Sequence, residues 1–284
     1  MVEMKRSKIK VGDVSLSVLT AGPSEGTAVV LLHGFPERAA SWHKQIDYLS
    51  SLGYFVIAPD QRGYEESDKP EAVSNYQLGI LADDIIGLIN HFNKESVYLI
   101  GHDWGCVVGW YLISFHSERF KEAILMSSPH WTIFKKNILT NPKQFLKSWY
   151  IFLIQLPKIP EFFIGSNNYK KFADEIKKSA FNEEYPAQDL EELRLGWIKN
   201  KSMGYMLNWY RALRELKTPV LTGKIKVPVT ILWGTRDPFL LLEMGQESLA
   251  LCESAELVSL ENTGHWPQHE NALELQKHID NWTV

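Results

Sequence analysis

Val97-Tyr98-Leu99-Ile100-Gly101-His102-Asp103-Trp104-Gly105-Cys106 is the stretch that decides the fold of this 284-residue chain. The apolar run at its start predicts a buried strand, and the apolar stretch Val107 to Phe115 after it predicts a helix. Gly101 and Gly105 let the chain turn tightly between the two, which pushes Asp103 out at the tip. A nucleophile elbow has this layout, with aspartate here in the place of the serine of G-x-S-x-G. Aspartate is also favoured as a helix N-cap, so the pentapeptide alone leaves a capping role open.

Outward from the elbow, Ala28 to Leu32, Tyr54 to Ala58, Ser96 to Ile100 and Ala123 to Met126 read as buried strands. Helical spacing separates them: Trp42, Ile46 and Leu49, then Leu78, Leu81, Ile85, Leu88 and Phe92. Such alternation predicts a mostly parallel sheet flanked by helices. The pattern returns with strands at Val229 to Trp233 and Glu256 to Leu260 and a closing helix from Leu273 to Trp282. Between these halves, residues 131–217 show helical patterns without period-two alternation, bounded by Ser128-Pro129 and Thr218-Pro219. A core of residues 1–130 and 218–284 with a helical insertion at 131–217 is therefore expected. The insertion carries 16 of the 34 aromatics and 15 basic against 9 acidic residues, a net of plus 6. Solvated helix faces opposite an acidic sheet domain account for that split more simply than a membrane surface does.

The formal charge of minus 4, without a long basic run, argues against nucleic acid as a partner. A hydrophobic fraction of 45% suffices for a packed core. Two cysteines, Cys106 and Cys252, cannot build a disulfide framework, and a reducing compartment fits them. Met1 to Lys10 contains no apolar signal core, and His102, Asp103 and several glycines interrupt the run from Val97 to Phe115. A cytoplasmic protein without a transmembrane segment is the expectation.

An aspartate nucleophile implies particular chemistry. A carboxylate that attacks a saturated carbon forms an alkyl ester, which water can hydrolyse, whereas serine would leave an inert ether. Epoxides and alkyl halides are the corresponding electrophiles. In Leu31-Leu32-His33-Gly34-Phe35-Pro36 a strand ends in a glycine turn, which places the backbone N–H of Phe35, with that of Trp104, to hold the oxyanion formed during ester hydrolysis. Glu261-Asn262-Thr263-Gly264-His265-Trp266-Pro267 follows the last strand and supplies His265 as base. Asp237, in Trp233-Gly234-Thr235-Arg236-Asp237-Pro238, is its orienting acid, although a turn role before proline is an alternative. Nucleophile, acid, histidine is the hydrolase order. His33 is expected to be structural and His269 to lie at the surface. No metal-binding spacing is evident among the histidines, and no cofactor is expected.

With these motifs the chain resembles an epoxide hydrolase of the α/β-hydrolase fold, with HGFP at 33–36, D-x-R-G at 60–63 and GHDWG at 101–105. The match also includes the terminal G-x-R-D-P and G-H-W motifs and spans nearly the whole chain. The resemblance implies that residues 131–217 form a cap domain holding two tyrosines that donate to the epoxide oxygen. Tyr150, before Gln155-Leu156-Pro157, and Tyr210, in Asn208-Trp209-Tyr210-Arg211, match those positions. A phenol, with a pKa of about 10, stays protonated at neutral pH and can donate to an alkoxide. Tyr169, Tyr185 and Tyr205 are left as structural. The expected partners are an apolar small-molecule epoxide and water, in a minimal form without a further N-terminal domain. A haloalkane dehalogenase shares the same triad but needs N–H donors for the halide; Trp104 supplies one, whereas Phe35 has none. A ligand receptor on a retired scaffold fits less well, because every candidate catalytic position is chemically intact.

Overall fold

The computed structural model describes residues 3–215 and 217–282. Its strands are β1 (Lys5–Val11), β2 (Val14–Ala21), β3 (Ala28–Leu32), β4 (Phe55–Pro59), β5 (Val97–His102), β6 (Phe120–Met126), β7 (Val229–Gly234) and β8 (Ala255–Leu260). They form one sheet in the order β1-β2-β4-β3-β5-β6-β7-β8. Pairing is antiparallel from β1 to β2 and from β2 to β4, and parallel across the rest.

The α/β-hydrolase architecture follows from how the strands are buried. All five residues of β3 are buried, but Val30 and Leu32 feed the core on one side of the sheet, and Val29 and Leu31 the core on the other. Helices α1 (His43–Ser51) and α13 (Ala272–Ile279) close the second core with Ile46, Leu49, Leu275 and Ile279. The first is closed by α2 (Leu78–His91) and α3 (Trp104–Phe115). A strand covered on both faces needs no polar alternation, so these strands read as continuous apolar runs. The β1–β2 pair was not among the expected strands. Its outer strand exposes Lys5, Arg6, Lys8 and Lys10, charges that guard an open sheet edge and mask the strand pattern.

Between β6 and β7 lie α4 (Trp131–Thr140), α5 (Pro142–Lys147), α6 (Trp149–Ile154), α7 (Ile159–Ile164), α8 (Lys170–Ser179), α9 (Ala187–Asn200) and α10 (Met203–Arg211), with no strand among the described residues. Buried indoles tie them to the sheet's loops. Trp197 donates to the Pro36 carbonyl at 2.9 Å and Trp209 to the Arg62 carbonyl at 3.0 Å. After β7 come α11 (Leu242–Leu249) and, beyond β8, α12 (Pro267–Glu270). No helix among the described residues is long and apolar enough to cross a membrane.

Candidate active site

Asp103 sits between β5 and α3 at φ 50° and ψ −117°, a conformation that costs a side-chain-bearing residue about 1–3 kcal/mol. Small neighbours allow the turn. A Cβ added to Gly105 would lie 2.1 Å from the Leu32 carbonyl oxygen, and one added to Gly34 would lie 2.4 Å from the Asp103 Cβ. The Asp103 side chain makes no capping hydrogen bond to α3. Its Oδ1 instead accepts from the Phe35 N–H at 2.8 Å, and its Oδ2 lies 3.6 Å from His265 Nε2. The two carboxylate oxygens therefore have different environments.

His265 Nδ1 lies 2.8 Å from Asp237 Oδ2. The other oxygen of Asp237 accepts from the N–H groups of Phe239 and Leu240 at 2.8 and 3.0 Å, so this residue organises its turn and faces the imidazole at once. Burial disfavours the imidazolium, but the Asp237 and Asp103 carboxylates override it and push the pKa of His265 up to about 10. Since the folded-state value is raised, the stability gained from protonation is fully present below about 6.5 and is lost as pH rises through about 10. In Asp103→Ala, His265 keeps only one of its two anionic neighbours and is expected to titrate lower than in the wild type. An NMR titration of its ring resonances measures this; an unchanged pKa would mean that Asp103 does not contribute to the shift.

Tyr150 on α6 and Tyr210 on α10 face this group, their ring centroids 6.2 Å apart and nearly perpendicular. The Tyr210 ring also packs edge-on against Phe35 and Trp104, at 5.4 and 5.0 Å. Burial and the nearby Asp103 carboxylate push both phenols far above their usual range, so each keeps its proton. Asp103, Tyr150 and Tyr210 line two adjoining cavities, of about 480 and 60 Å³. The larger also has Phe35 and His265 on its wall, with Phe163, Phe172 and Phe239.

One arrangement below the site was missed from sequence. Glu37, fully buried, accepts from the Tyr185 hydroxyl at 2.8 Å, from His269 at 2.6 Å and from Gln268 at 2.9 Å. Burial opposes its charge, but His269 and His102 hold the carboxyl well below its usual range. His102 Nε2 in turn lies 2.7 Å from the His265 carbonyl oxygen. The expectation of a surface His269 is thus corrected: the residue is buried because α12 turns it inward onto Glu37. The available signal was an acidic residue directly after His33-Gly34-Phe35-Pro36, where a plain loop has no need of one. His33 accepts from the Gln61 N–H through Nε2 at 3.1 Å and donates through Nδ1 to the Gly34 carbonyl at 3.0 Å. Burial keeps it neutral in this backbone-bracing role.

The sequence profile described as alpha/beta hydrolase fold matches residues 27–272. The AB hydrolase superfamily protein YfhM of Bacillus subtilis (strain 168) is 38% identical over 262 residues, spanning 92% of each chain. Epoxide hydrolase 1 of Caenorhabditis elegans is 31% identical over 95% of this chain and 68% of its own length. The crystal structure of Bacillus megaterium epoxide hydrolase in complex with an inhibitor superposes with a TM-score of 0.87 at 27% identity, covering 97% of this chain and 99% of that one. Sequence motifs, sheet order and these likenesses agree: the chain belongs to the α/β-hydrolase fold family, in the branch that holds the epoxide hydrolases.

Proposed function

We propose that this protein hydrolyses an apolar epoxide to a vicinal diol through an alkyl ester on Asp103. The observation that carries the reading is the division of labour within one carboxylate. Oδ1 is held by the Phe35 N–H, while Oδ2 lies beside His265 beneath two protonated tyrosines. Oδ2 attacks an epoxide carbon, the C–O bond breaks, and a phenol of Tyr150 or Tyr210 protonates the departing alkoxide. The imidazolium of His265 returns a proton to the tyrosinate. Esterification also removes the Asp103 charge that helped to hold this proton, so the first step leaves a neutral imidazole.

His265 then takes a proton from water, whose oxygen attacks the ester carbonyl carbon. The oxyanion forms on Oδ1, against the N–H groups of Phe35 and Trp104, and losing such a donor costs on the order of 100 to 1,000-fold in rate. Collapse expels the diol, which takes the proton of the new carboxyl group and leaves Asp103 ionised and His265 charged again. Asp237 orients the imidazole and stabilises its charged form. Residues 131–217 act as a cap on the core of residues 1–130 and 218–284, supplying the tyrosines and the apolar wall.

Paired epoxides and haloalkanes test the assignment, with diol scored against halide release. Diol is expected, and halide release without epoxide opening would assign the site to dehalogenation. Tyr150→Phe and Tyr210→Phe are each expected to slow enzyme alkylation by about tenfold or more, since one donor to a developing oxyanion is lost in a dry site. The double variant should nearly eliminate alkylation, while hydrolysis of a preformed ester changes much less. Rapid-quench rates separate the steps, and wild-type ring opening by the double variant would remove the tyrosines from the mechanism.

A further inference from the structure

The mouth of the large cavity is a greasy face. Phe145 and Leu146 on α5, Trp149 and Phe152 on α6, and Phe162 and Phe163 on α7 are all exposed, from 47% for Phe145 to 73% for Phe162. They are not scattered. Phe145 packs on Phe152 with ring centroids 5.3 Å apart, Phe162 on Phe163 at 5.6 Å, and Leu146, Trp149 and Phe163 themselves line the cavity. Large contiguous apolar surfaces are rare on free proteins and mark a contact.

Charge identifies the occupant. Residues 131–166 contain the cations Lys135, Lys136, Lys143, Lys147 and Lys158 against the single acid Glu161. Lys136 is paired with Glu247 at 2.9 Å, and Glu175, which also lines the cavity, is paired with Lys178 at 2.8 Å. Glu161 is already neutralised by Arg211 at 2.8 Å. Lys143 and Lys158 are exposed on the helices and loop that carry the aromatics. A second copy docked face to face would set these like charges against each other. An anionic bilayer would neutralise them and receive the rings, the pattern of helices that lie in a membrane interface. The charge split alone fits solvated helix faces; aromatic exposure at the cavity mouth distinguishes the two readings.

We propose that α5, α6 and α7 dock peripherally on an anionic lipid surface, seating the cavity mouth at the acyl boundary so that a membrane-dissolved substrate enters without crossing water. Docking rests on this surface alone; the entry route rests on the reading of the site as one for an apolar epoxide.

Flotation of the full chain with vesicles tests the proposal. Wild-type protein is expected to rise with phosphatidylcholine–phosphatidylglycerol vesicles at low salt, to bind phosphatidylcholine alone weakly, and to be released as salt screens the lysines. Lys143→Glu/Lys158→Glu should weaken anionic-vesicle binding by about tenfold or more, from the per-lysine attraction to such surfaces. Phe145→Ser/Phe152→Ser/Phe162→Ser, which spares the cavity lining, should abolish binding while turnover of a short water-soluble epoxide and the Tm stay at wild-type values. No flotation of the wild type at low salt overturns the proposal. So does a concentration-dependent dimer in sedimentation velocity that the Phe variant abolishes, which would give the face to a second copy. The two readings fail separately: flotation without epoxide turnover removes the activity and leaves docking, and turnover without flotation does the reverse.

Discussion

Asp103→Ala is expected to form no diol while keeping its fold. The side chain is on the cavity wall and partly exposed, so its removal leaves no sealed void in the core. Alanine meets the same positive φ that aspartate already tolerates, which leaves backbone strain nearly unchanged. What disappears is the group proposed to attack carbon. Members of a catalytic unit cost on the order of 10⁴-fold or more when removed singly, and a loss of that size in initial rate is expected here. A single turnover of the wild type in ¹⁸O-labelled water provides the companion measurement. The oxygen added to the diol should come from the Asp103 carboxylate, with label entering the protein first. Substantial activity in the alanine variant, or label appearing directly in the diol, would replace the covalent route with direct attack by water.

His265→Gln is expected to separate the two steps. Ring opening needs the Asp103 carboxylate and the phenols, and solvent replaces His265 in returning the proton to the tyrosinate, so alkylation proceeds, whereas the ester loses the base that activates water. Turnover should stop after about one equivalent per site, with the alkyl-enzyme accumulating. Intact-protein mass spectrometry should find the whole mass of the epoxide added, and peptide mapping should place it on Asp103. Steady turnover in this variant would move the base elsewhere. His269 is the nearest alternative in sequence, but it is buried with its Nε2–H donated to Glu37 at 2.6 Å.

The parts of this protein legible in sequence are those governed by neighbours along the chain. A strand buried on both faces must be apolar throughout, which made β3 and β5 readable as runs. The bend at Asp103 requires small residues at fixed offsets, because a Cβ at Gly105 would meet the Leu32 carbonyl. Asp237 and His265 could be placed for the same reason, each lying in a loop directly after a strand end. The resemblance to a family, and not periodicity, drew attention to Tyr150 and Tyr210.

Tertiary structure alone decided the rest. Two tyrosines 60 positions apart face one carboxylate only because α6 and α10 converge over the elbow. Glu37 and His269 are separated by 232 positions, and nothing local announces that a histidine in a short polar helix will be turned inward to meet a buried carboxylate. Exposure behaves likewise. An apolar helix position has the same letter whether a core covers it or solvent does, so the Phe145–Phe163 face could not be told from ordinary packing before the helices were assembled. The turn at Asp103 is set by sterics between near neighbours, which the sequence records, whereas burial and charge pairing are set by groups that only folding brings together.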